Sequence, residues 1–269
     1  MKTKIIFSLI LGVFLTLQPI IASAQNDTLI QIRDTVGGIL DTPPIDIDFG
    51  ELPEGLEVEH SIVPPQYTIF HQNDLVISFE VIRPSKKDSS IVLCISAAFT
   101  SSEGGIMGLA ISNGHIIVEK VNHGMDGALE IIGGKGKILF TDKGKILTGF
   151  LIAEIVLDRG SLLQQYQIVK DGQAESFRDQ SSYQRRAVVI FENGQLAVIE
   201  SEEALTLKQF SEGLVEIGAI DALYTDMGSW SEGWYREPSG SVVIIGQSRS
   251  QTARQTNWLI FKKQYYVIK

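Results

Sequence analysis

Two Asn-Gly pairs, each set between apolar stretches, constrain the fold of this chain more than any other feature. Asn113-Gly114 lies inside the run 106–118, and Asn193-Gly194 separates residues 187–191 from residues 195–200. Asn-Gly favours tight turns whose central residues have positive φ, and such turns join antiparallel strands. Two β-hairpins are therefore predicted, and the chain is expected to be rich in strands.

Further apolar runs of strand length are found along the chain. They cover residues 67–70, 75–82, 90–99, 128–132, 137–140, 220–225, 241–245 and 258–261. The glycine-rich segment 133–136 joins two of these runs. It lacks the Gly-Lys-Ser/Thr ending and the following helix of a phosphate-binding loop, so a hairpin turn is predicted there.

The clearest helical pattern begins after Thr206. Gln209 follows at the spacing of a capping box, and Gly218 is placed to end the helix. Apolar residues also recur at helical spacing in 161–170, which predicts another helix, whereas the apolar run 146–157 fits a strand or a helix equally. Together these patterns predict an α+β fold: a strand-rich single domain of mixed or antiparallel sheet with a few packed helices.

Residues 1–24 have the pattern of an export signal. Two lysines precede an apolar stretch, and Ala22-Ser23-Ala24 supplies the small residues of a cleavage site. Cleavage after Ala24 predicts an exported protein, periplasmic or secreted, with no membrane span after the signal is removed. Residues 25–65 contain many Pro, Asp and Glu residues and predict an extended lead-in before a domain over 66–269.

Composition excludes several classes of partner and site. The formal net charge is −9, which disfavours nucleic acid as a partner because such binding depends on Lys and Arg neutralising phosphates. The single cysteine, Cys94, excludes an intrachain disulfide and lies in an apolar run. The four histidines are scattered without metal-ligand spacing, so neither a metal nor a cofactor is predicted. The oligomeric state is not indicated by the sequence.

The segment 221–236 is the strongest candidate for a functional loop. An apolar strand ends at Asp226, and Gly228, Trp230 and Trp234 follow. A strand-end carboxylate beside glycines and aromatic side chains is typical of a binding or catalytic loop. The same residue types also occur in ordinary turns and in cores.

The order of motifs over residues 90–262 resembles the phosphodiester glycosidase domain family. Arg185-Arg186-Ala187 is similar to the Arg-Thr-Ala that opens a strand in that family, and Asp226-Met227-Gly228 to its Asp-Gly-Gly-Gly-Ser motif. The segment 96–100 stands where the family has Asn-Gly-Gly-Phe-Phe. Asn257-Trp258-Leu259 is similar to the closing Asn-x-Leu.

The chain also departs from the family pattern within these motifs. Arg186 stands in place of a threonine, Met227 in place of a glycine and Ser96 in place of an asparagine. The serine of the aspartate motif is supplied by Ser229 or by Ser231, or is absent. A side chain in place of a glycine is expected to reshape the pocket or to crowd it.

The resemblance implies cleavage of a glycosyl-1-phosphodiester, with a sugar phosphodiester or glycan as the ligand. Arg185 would hold the phosphate, since guanidinium binds phosphate with paired hydrogen bonds, and Asp226 would be the catalytic carboxylate. The substrate-binding candidates are Ser96, Glu103, Gly228, Ser229, Trp230, Trp234, Arg236 and Asn257.

Adjacent residues of a strand point to opposite faces, so one of Arg185 and Arg186 is predicted to face solvent.

Two alternatives stay open at this point, one for Arg236 and one for the function of the whole protein. Arg236 would bind phosphate or pair with an acid on the surface, and Glu232 is a further acidic candidate. On the same fold, a non-catalytic carbohydrate- or phosphosugar-binding protein is the alternative to a hydrolase.

Overall fold

The computed structural model describes residues 56–62, 64–247 and 249–264 of the 269-residue chain. These residues belong to one compact unit. The predicted export signal, 1–24, and most of the predicted lead-in, 25–55, lie outside the described residues.

Within the described ranges, short strands alternate with two α-helices and a 3₁₀ turn. The strands are β1 (Glu57–His60), β2 (Tyr67–His71), β3 (Val76–Glu80), β4 (Ile91–Ser96), β5 (Ala110–Ser112), β6 (His115–Val118), β7 (Gly127–Ile132), β8 (Lys135–Phe140), β9 (Ser161–Gln165), β10 (Gln167–Lys170), β11 (Gln173–Ala174), β12 (Arg186–Phe191), β13 (Leu196–Ser201), β14 (Ala219–Tyr224), β15 (Gly233–Arg236), β16 (Val242–Ile245) and β17 (Trp258–Lys262). The helices are α1 (Gly149–Leu157) and α2 (Leu207–Glu216), and the 3₁₀ turn covers Thr252–Arg254.

The strands form three sheets. The first has the order β1-β2-β13-β12-β14-β10-β11, the second β16-β15-β4-β17-β3, and the third β6-β5-β9-β7-β8. Every strand pairing between described residues is antiparallel. The predicted α+β class is confirmed, and the sheets are antiparallel rather than mixed.

One central core joins the three sheets. It contains Val188 and Leu223 of the first sheet, Phe79 and Leu259 of the second, and Leu129 of the third. The other face of the first sheet packs against α2, and α1 covers the outer face of the third sheet. Since the first sheet is covered on both faces, neighbouring residues of its inner strands are buried together.

Both predicted hairpins are present. Asn113 and Gly114 have φ values of 50° and 79°, the positive pair that a tight turn between β5 and β6 requires. In the second hairpin, between β12 and β13, only Gly194 of the pair has positive φ, at 78°. There the Asn193 Oδ1 accepts a hydrogen bond from the Gln195 N–H at 2.9 Å and closes a longer loop.

The predicted helix over 161–170 is wrong, because this segment forms β9 and β10. All five residues of β9 are buried. Leu162 packs under α1, whereas Leu163 faces the central core. Both faces of the strand are therefore apolar, and its sequence loses the alternation that marks a half-exposed strand. The ambiguous run 146–157 contains α1, whose first turn is capped by the Thr148 hydroxyl.

Helix α2 begins as the sequence predicts. The Thr206 hydroxyl and the Gln209 side chain form the reciprocal capping box, and Gly218 follows the helix with a φ of 94°. Among the helices of the described ranges, none is long and apolar enough to span a membrane.

Gly213 lies where α2 packs on β2. A Cβ at this position would overlap the Tyr67 hydroxyl oxygen. Gly213→Ala is therefore expected to lower the free energy of unfolding by roughly 1–3 kcal/mol, although alanine favours a helix by about 1 kcal/mol. Chemical denaturation of G213A measures this loss of stability. The double variant Y67F/G213A lacks the clashing oxygen and should recover part of the loss. A G213A protein as stable as wild type would contradict the packing.

Candidate functional site

The candidate site is built where the chain leaves β4. Asp226, just after β14, binds this segment through its backbone and its side chain. Its N–H donates to the Ala97 carbonyl at 2.8 Å, and its Oδ2 accepts from the Thr100 N–H at 3.0 Å. A carboxylate that follows a buried strand is thus fixed by a chain segment from another sheet.

Asn257 fixes the same segment from the side of β17. Its Oδ1 accepts from the Ala98 N–H at 2.7 Å, and its Nδ2 donates to the Ala98 carbonyl at 3.0 Å. Asn257 is fully buried and has a structural task, because it satisfies both backbone polar groups of one buried residue, Ala98. The Ser96 hydroxyl donates to the Asp226 carbonyl, so Ser96, Asp226 and Asn257 lie together and are called the Asp226 cluster.

Asp226 is 6% exposed. Burial raises the pKa of its carboxyl from 3.8 to about 6, because the charged form loses hydration. The hydrogen bonds from Thr100 and the positive charge of Arg186 oppose this rise in pKa. A carboxyl of this kind changes its charge close to neutral pH, which is where a general base or nucleophile needs to do so.

The side chain of Arg186 reaches Ser96 in the Asp226 cluster, although the sequence motifs indicated Arg185 as the functional arginine. Its Nη1 lies 3.2 Å from the Ser231 Oγ and 3.4 Å from the Ser96 Oγ. The Ser96 hydroxyl in turn donates to the Asp226 carbonyl. On its other side, Arg186 forms an ion pair with Glu200, its Nε donating to Glu200 Oε2 at 2.6 Å.

Arg185 lies on the opposite face of β12, toward α2. Its Nε donates to the Leu205 carbonyl at 3.0 Å, its Nη1 to the Tyr224 hydroxyl at 3.1 Å and its Nη2 to the Ser181 carbonyl at 2.7 Å. The ring of Tyr183 stacks over the guanidinium at 5.3 Å.

The prediction that one of Arg185 and Arg186 faces solvent is wrong. They are 5% and 0% exposed, respectively. The first sheet is covered by α2 on one face and by the other sheets on the other, so alternation places each arginine in a different buried environment. Glu200 was the overlooked signal: an acid in the otherwise apolar strand β13 predicts a buried cationic partner, and Arg186 is its direct cross-strand neighbour.

A pocket of about 160 Å³ opens beside the Asp226 loop. Met227, Gly228 and Ser231 line one side of it, and the segment 182–184 and Gln247 line the other. Gly228 has a φ of 117° and open space where a side chain would project, so the backbone is accessible there. Met227, which stands in place of a family glycine, forms part of the wall of this pocket.

Ser229 and Trp230 lie on the outer part of the loop. The Ser229 carbonyl accepts from the Gln251 N–H at 2.9 Å, and the Trp230 Nε1 donates to the Gln251 Oε1 at 3.2 Å. Arg254 stacks on the Trp230 ring at 4.4 Å. These two predicted ligand contacts are thus engaged with the 3₁₀ turn and contribute no atom to the Asp226 cluster.

Within the described residues, the side chains of the four remaining acidic, basic and aromatic candidates make no hydrogen bond to Ser96, Asp226 or Asn257. Trp234 is 1% exposed and packs beside Cys94, so its ring offers no surface to a ligand. Arg236 donates to four backbone carbonyls, which occupy its guanidinium. Glu103 is exposed in a loop, and Glu232 pairs with Arg83 and Lys86.

Metal ligation has no support in residues 56–62, 64–247 and 249–264. No group of three or more His, Cys, Asp or Glu side chains in these ranges is arranged to hold a metal ion. The thiol of Cys94 is buried, and burial raises its pKa well above its usual range.

The raised pKa of Asp226 makes the stability of the protein depend on pH. Because the folded protein binds this proton more tightly than the unfolded chain, the proton adds to the free energy of unfolding. This contribution is complete below pH 3.8 and is lost as pH rises through about 6. An amide does not ionise, so Asp226→Asn should become more stable relative to wild type by roughly 3 kcal/mol between about pH 4 and pH 7. Chemical denaturation at both pH values measures the difference, and an unchanged difference would contradict the burial of a titrating carboxyl.

Solved structures that share the fold of this chain include two proteins of low sequence identity. The catalytic domain of zebrafish N-acetylglucosamine-1-phosphodiester alpha-N-acetylglucosaminidase, auto-inhibited by its pro-peptide, matches with a TM-score of 0.52 at 10% identity, over 78% of this chain and 83% of that one. A hypothetical protein from Synechocystis matches with a TM-score of 0.50 at 11% identity, over 77% of this chain and 62% of that one. Identities this low establish a shared fold.

Sequence comparison assigns the family. A search of curated proteins finds no match. The model of the phosphodiester glycosidase family matches residues 89–261, which hold the candidate site from Ser96 to Asn257. The chain belongs to the phosphodiester glycosidase family.

Proposed function

We propose that the protein is an exported hydrolase that cleaves a glycosyl-1-phosphodiester between the anomeric carbon and the phosphate oxygen. The observation that carries this proposal is Asp226, a carboxyl fixed by Thr100 at the end of a buried strand, with a pKa of about 6, in a loop whose next two residues line a pocket. Membership of the phosphodiester glycosidase family supports the reaction class.

One carboxylate suffices for this reaction. The electron pair of the broken bond passes to the phosphate, which leaves without a strong general acid, whereas ordinary glycosidases use a second carboxyl for that task. Of the other acids, Glu200 is paired with Arg186 and Glu232 with Arg83, whereas Glu103 is exposed in a loop. Asp226 would therefore activate water or attack the anomeric carbon directly.

Arg185 is the proposed phosphate-binding cation. Its three closest acceptors are two carbonyls and a phenol, which carry no charge. The nearest acid is Asp179, 3.7 Å away and 52% exposed, so no buried carboxylate neutralises the guanidinium. A buried cation with neutral partners favours the binding of an anion. Arg186 differs, because Glu200 neutralises its charge at the same depth.

Tyr224 connects the two proposed catalytic groups. Its hydroxyl accepts from Arg185, and the charge of Asp226 acts on the same hydroxyl. Tyr183 both lines the pocket and stacks on Arg185.

Export is part of the proposal and rests on the signal-like pattern of residues 1–24. An exported enzyme would meet glycosyl-1-phosphodiesters in cell-envelope, capsular or host-derived glycans. The sugar and the aglycone are to be identified by assay.

Hydrolysis of a panel of glycosyl-1-phosphodiesters by the purified protein tests the function. Wild type is expected to release sugar from at least one substrate. Asp226→Asn should lower kcat by about 10²- to 10⁴-fold, since it removes the acting carboxylate, and Arg185→Gln should raise KM and lower kcat while the protein stays folded. Glu192→Gln, which neutralises an exposed acid beyond the far end of β12, serves as the matched control.

Two results would overturn the hydrolase. Turnover by Asp226→Asn at the wild-type rate would remove Asp226 from the mechanism. Binding of a substrate by wild type without release of sugar would assign the protein to the non-catalytic, ligand-binding class instead.

A further inference from the structure

Three departures from the family pattern meet at one hydroxyl. The Ser231 Oγ lies 3.1 Å from the Ser96 Oγ, 3.2 Å from the Arg186 Nη1 and 3.5 Å from the Met227 Sδ. Ser96, Arg186 and Met227 come from three separate motifs, so their contact shows that the departures form one coupled set. Ser231 is 2% exposed, which leaves its hydroxyl to these neighbours.

Arg186 holds both ends of the loop 226–231. Its backbone carbonyl accepts from the Thr225 N–H at 3.1 Å, immediately before the loop. Its side chain donates to Ser231, at the end of the loop. Gly233 leaves the space that the guanidinium fills, because a Cβ there would lie 3.1 Å from its Nη2.

Glu200 extends the same network to the opposite wall of the pocket. Its Oε1 accepts from the Gln184 Nε2 at 2.8 Å and from the Gly246 N–H at 3.1 Å. Gln184 lines the pocket opposite Ser231. The Arg186–Glu200 pair is therefore hydrogen-bonded to two residues that line the pocket, Ser231 and Gln184.

We propose that Arg186, acting through Ser231, is the positioning residue that holds the loop 226–231 and sets the electrostatic field at Asp226 in the proposed hydrolysis. This role rests on the proposed function of Asp226. Arg186 is fully buried and neutralised by Glu200, so it acts on the carboxylate and the loop and makes no contact with the phosphate.

The groups around Asp226 make this field testable. Arg186 of β12 lowers the pKa of Asp226, and Glu200 of β13 lies behind Arg186. Tyr224 of β14 faces Asp226 and is bonded to Arg185. The segment 97–100 contributes hydrogen bonds without charge. Removing the charge of Glu200 should therefore lower the Asp226 midpoint, and removing the charge of Arg186 should raise it.

Two variants that differ only at position 186 give the decisive comparison. In Glu200→Gln the charge of Arg186 is uncompensated, whereas Arg186→Met/Glu200→Gln carries neither charge. The midpoint of the acidic limb of kcat/KM is expected to be higher in the double variant by about one pH unit, as for loss of a nearby opposite charge. The same midpoint can be measured without turnover. The free energy of unfolding of each variant is compared with that of the same variant carrying Asp226→Asn, and the difference changes at the pKa of Asp226.

The loop contact is tested by Ser231→Ala, which leaves the ion pair intact. It should lower kcat about tenfold, the size of one lost hydrogen bond, whereas Ser239→Ala, on an exposed turn, should have no effect. Thermal unfolding checks that each variant is folded.

If Glu200→Gln does not fold, the double variant is compared with wild type, and the midpoint should still rise because Arg186 is the nearer charge.

The outcomes separate this inference from the proposed function. Absence of hydrolysis by wild type would overturn the proposed function, whereas the stability midpoints would still test Arg186. Equal midpoints in the two variants, or a Ser231→Ala enzyme with wild-type kcat, would overturn the positioning role even in an active enzyme.

Discussion

The site depends on one constraint, the fixing of the segment 97–100 between two sheets. Asn257 satisfies both backbone groups of Ala98, and Asp226 accepts the N–H of Thr100. Buried peptide groups must find partners, so neither side chain can be removed without leaving polar atoms unsatisfied. The carboxylate is placed by the same bonds that join the first sheet to the second. Packing of the first sheet against the second therefore places the carboxylate.

Two adjacent arginines illustrate how a covered sheet separates chemical roles. Arg186 is compensated by Glu200 and supports the loop from within the core. Arg185 is held by neutral oxygens on the α2 side, and its ion-pair partner is the exposed Asp179, 3.7 Å away. Alternation along β12 gives each arginine its own environment. A buried ion pair of this kind adds little net stability, and its value here lies in the geometry that it imposes on Ser231.

The sequence predicted those parts of the fold that local chemistry decides. The Asn113-Gly114 turn and the Thr206 capping box each lie within a few residues of their partners. The strands β9 and β10 were mistaken for a helix because cover on both faces, a tertiary property, removed their alternation. Likewise, the bond between Thr100 and Asp226 spans 126 residues. The motif order located Asp226 and Asn257, but no local signal identified Thr100 or the task of Arg186.

The most direct test of the account is the titration of the Asp226 carboxyl itself. In protein labelled with ¹³C at the aspartate carboxyl carbon, the resonance absent from Asp226→Asn is assigned to Asp226 and followed from acid to neutral pH. The account predicts a midpoint of about 6, because the carboxyl is buried and only partly compensated by Thr100 and Arg186. A midpoint at the ordinary value of 3.8 would show a solvated carboxylate and would contradict the site described here.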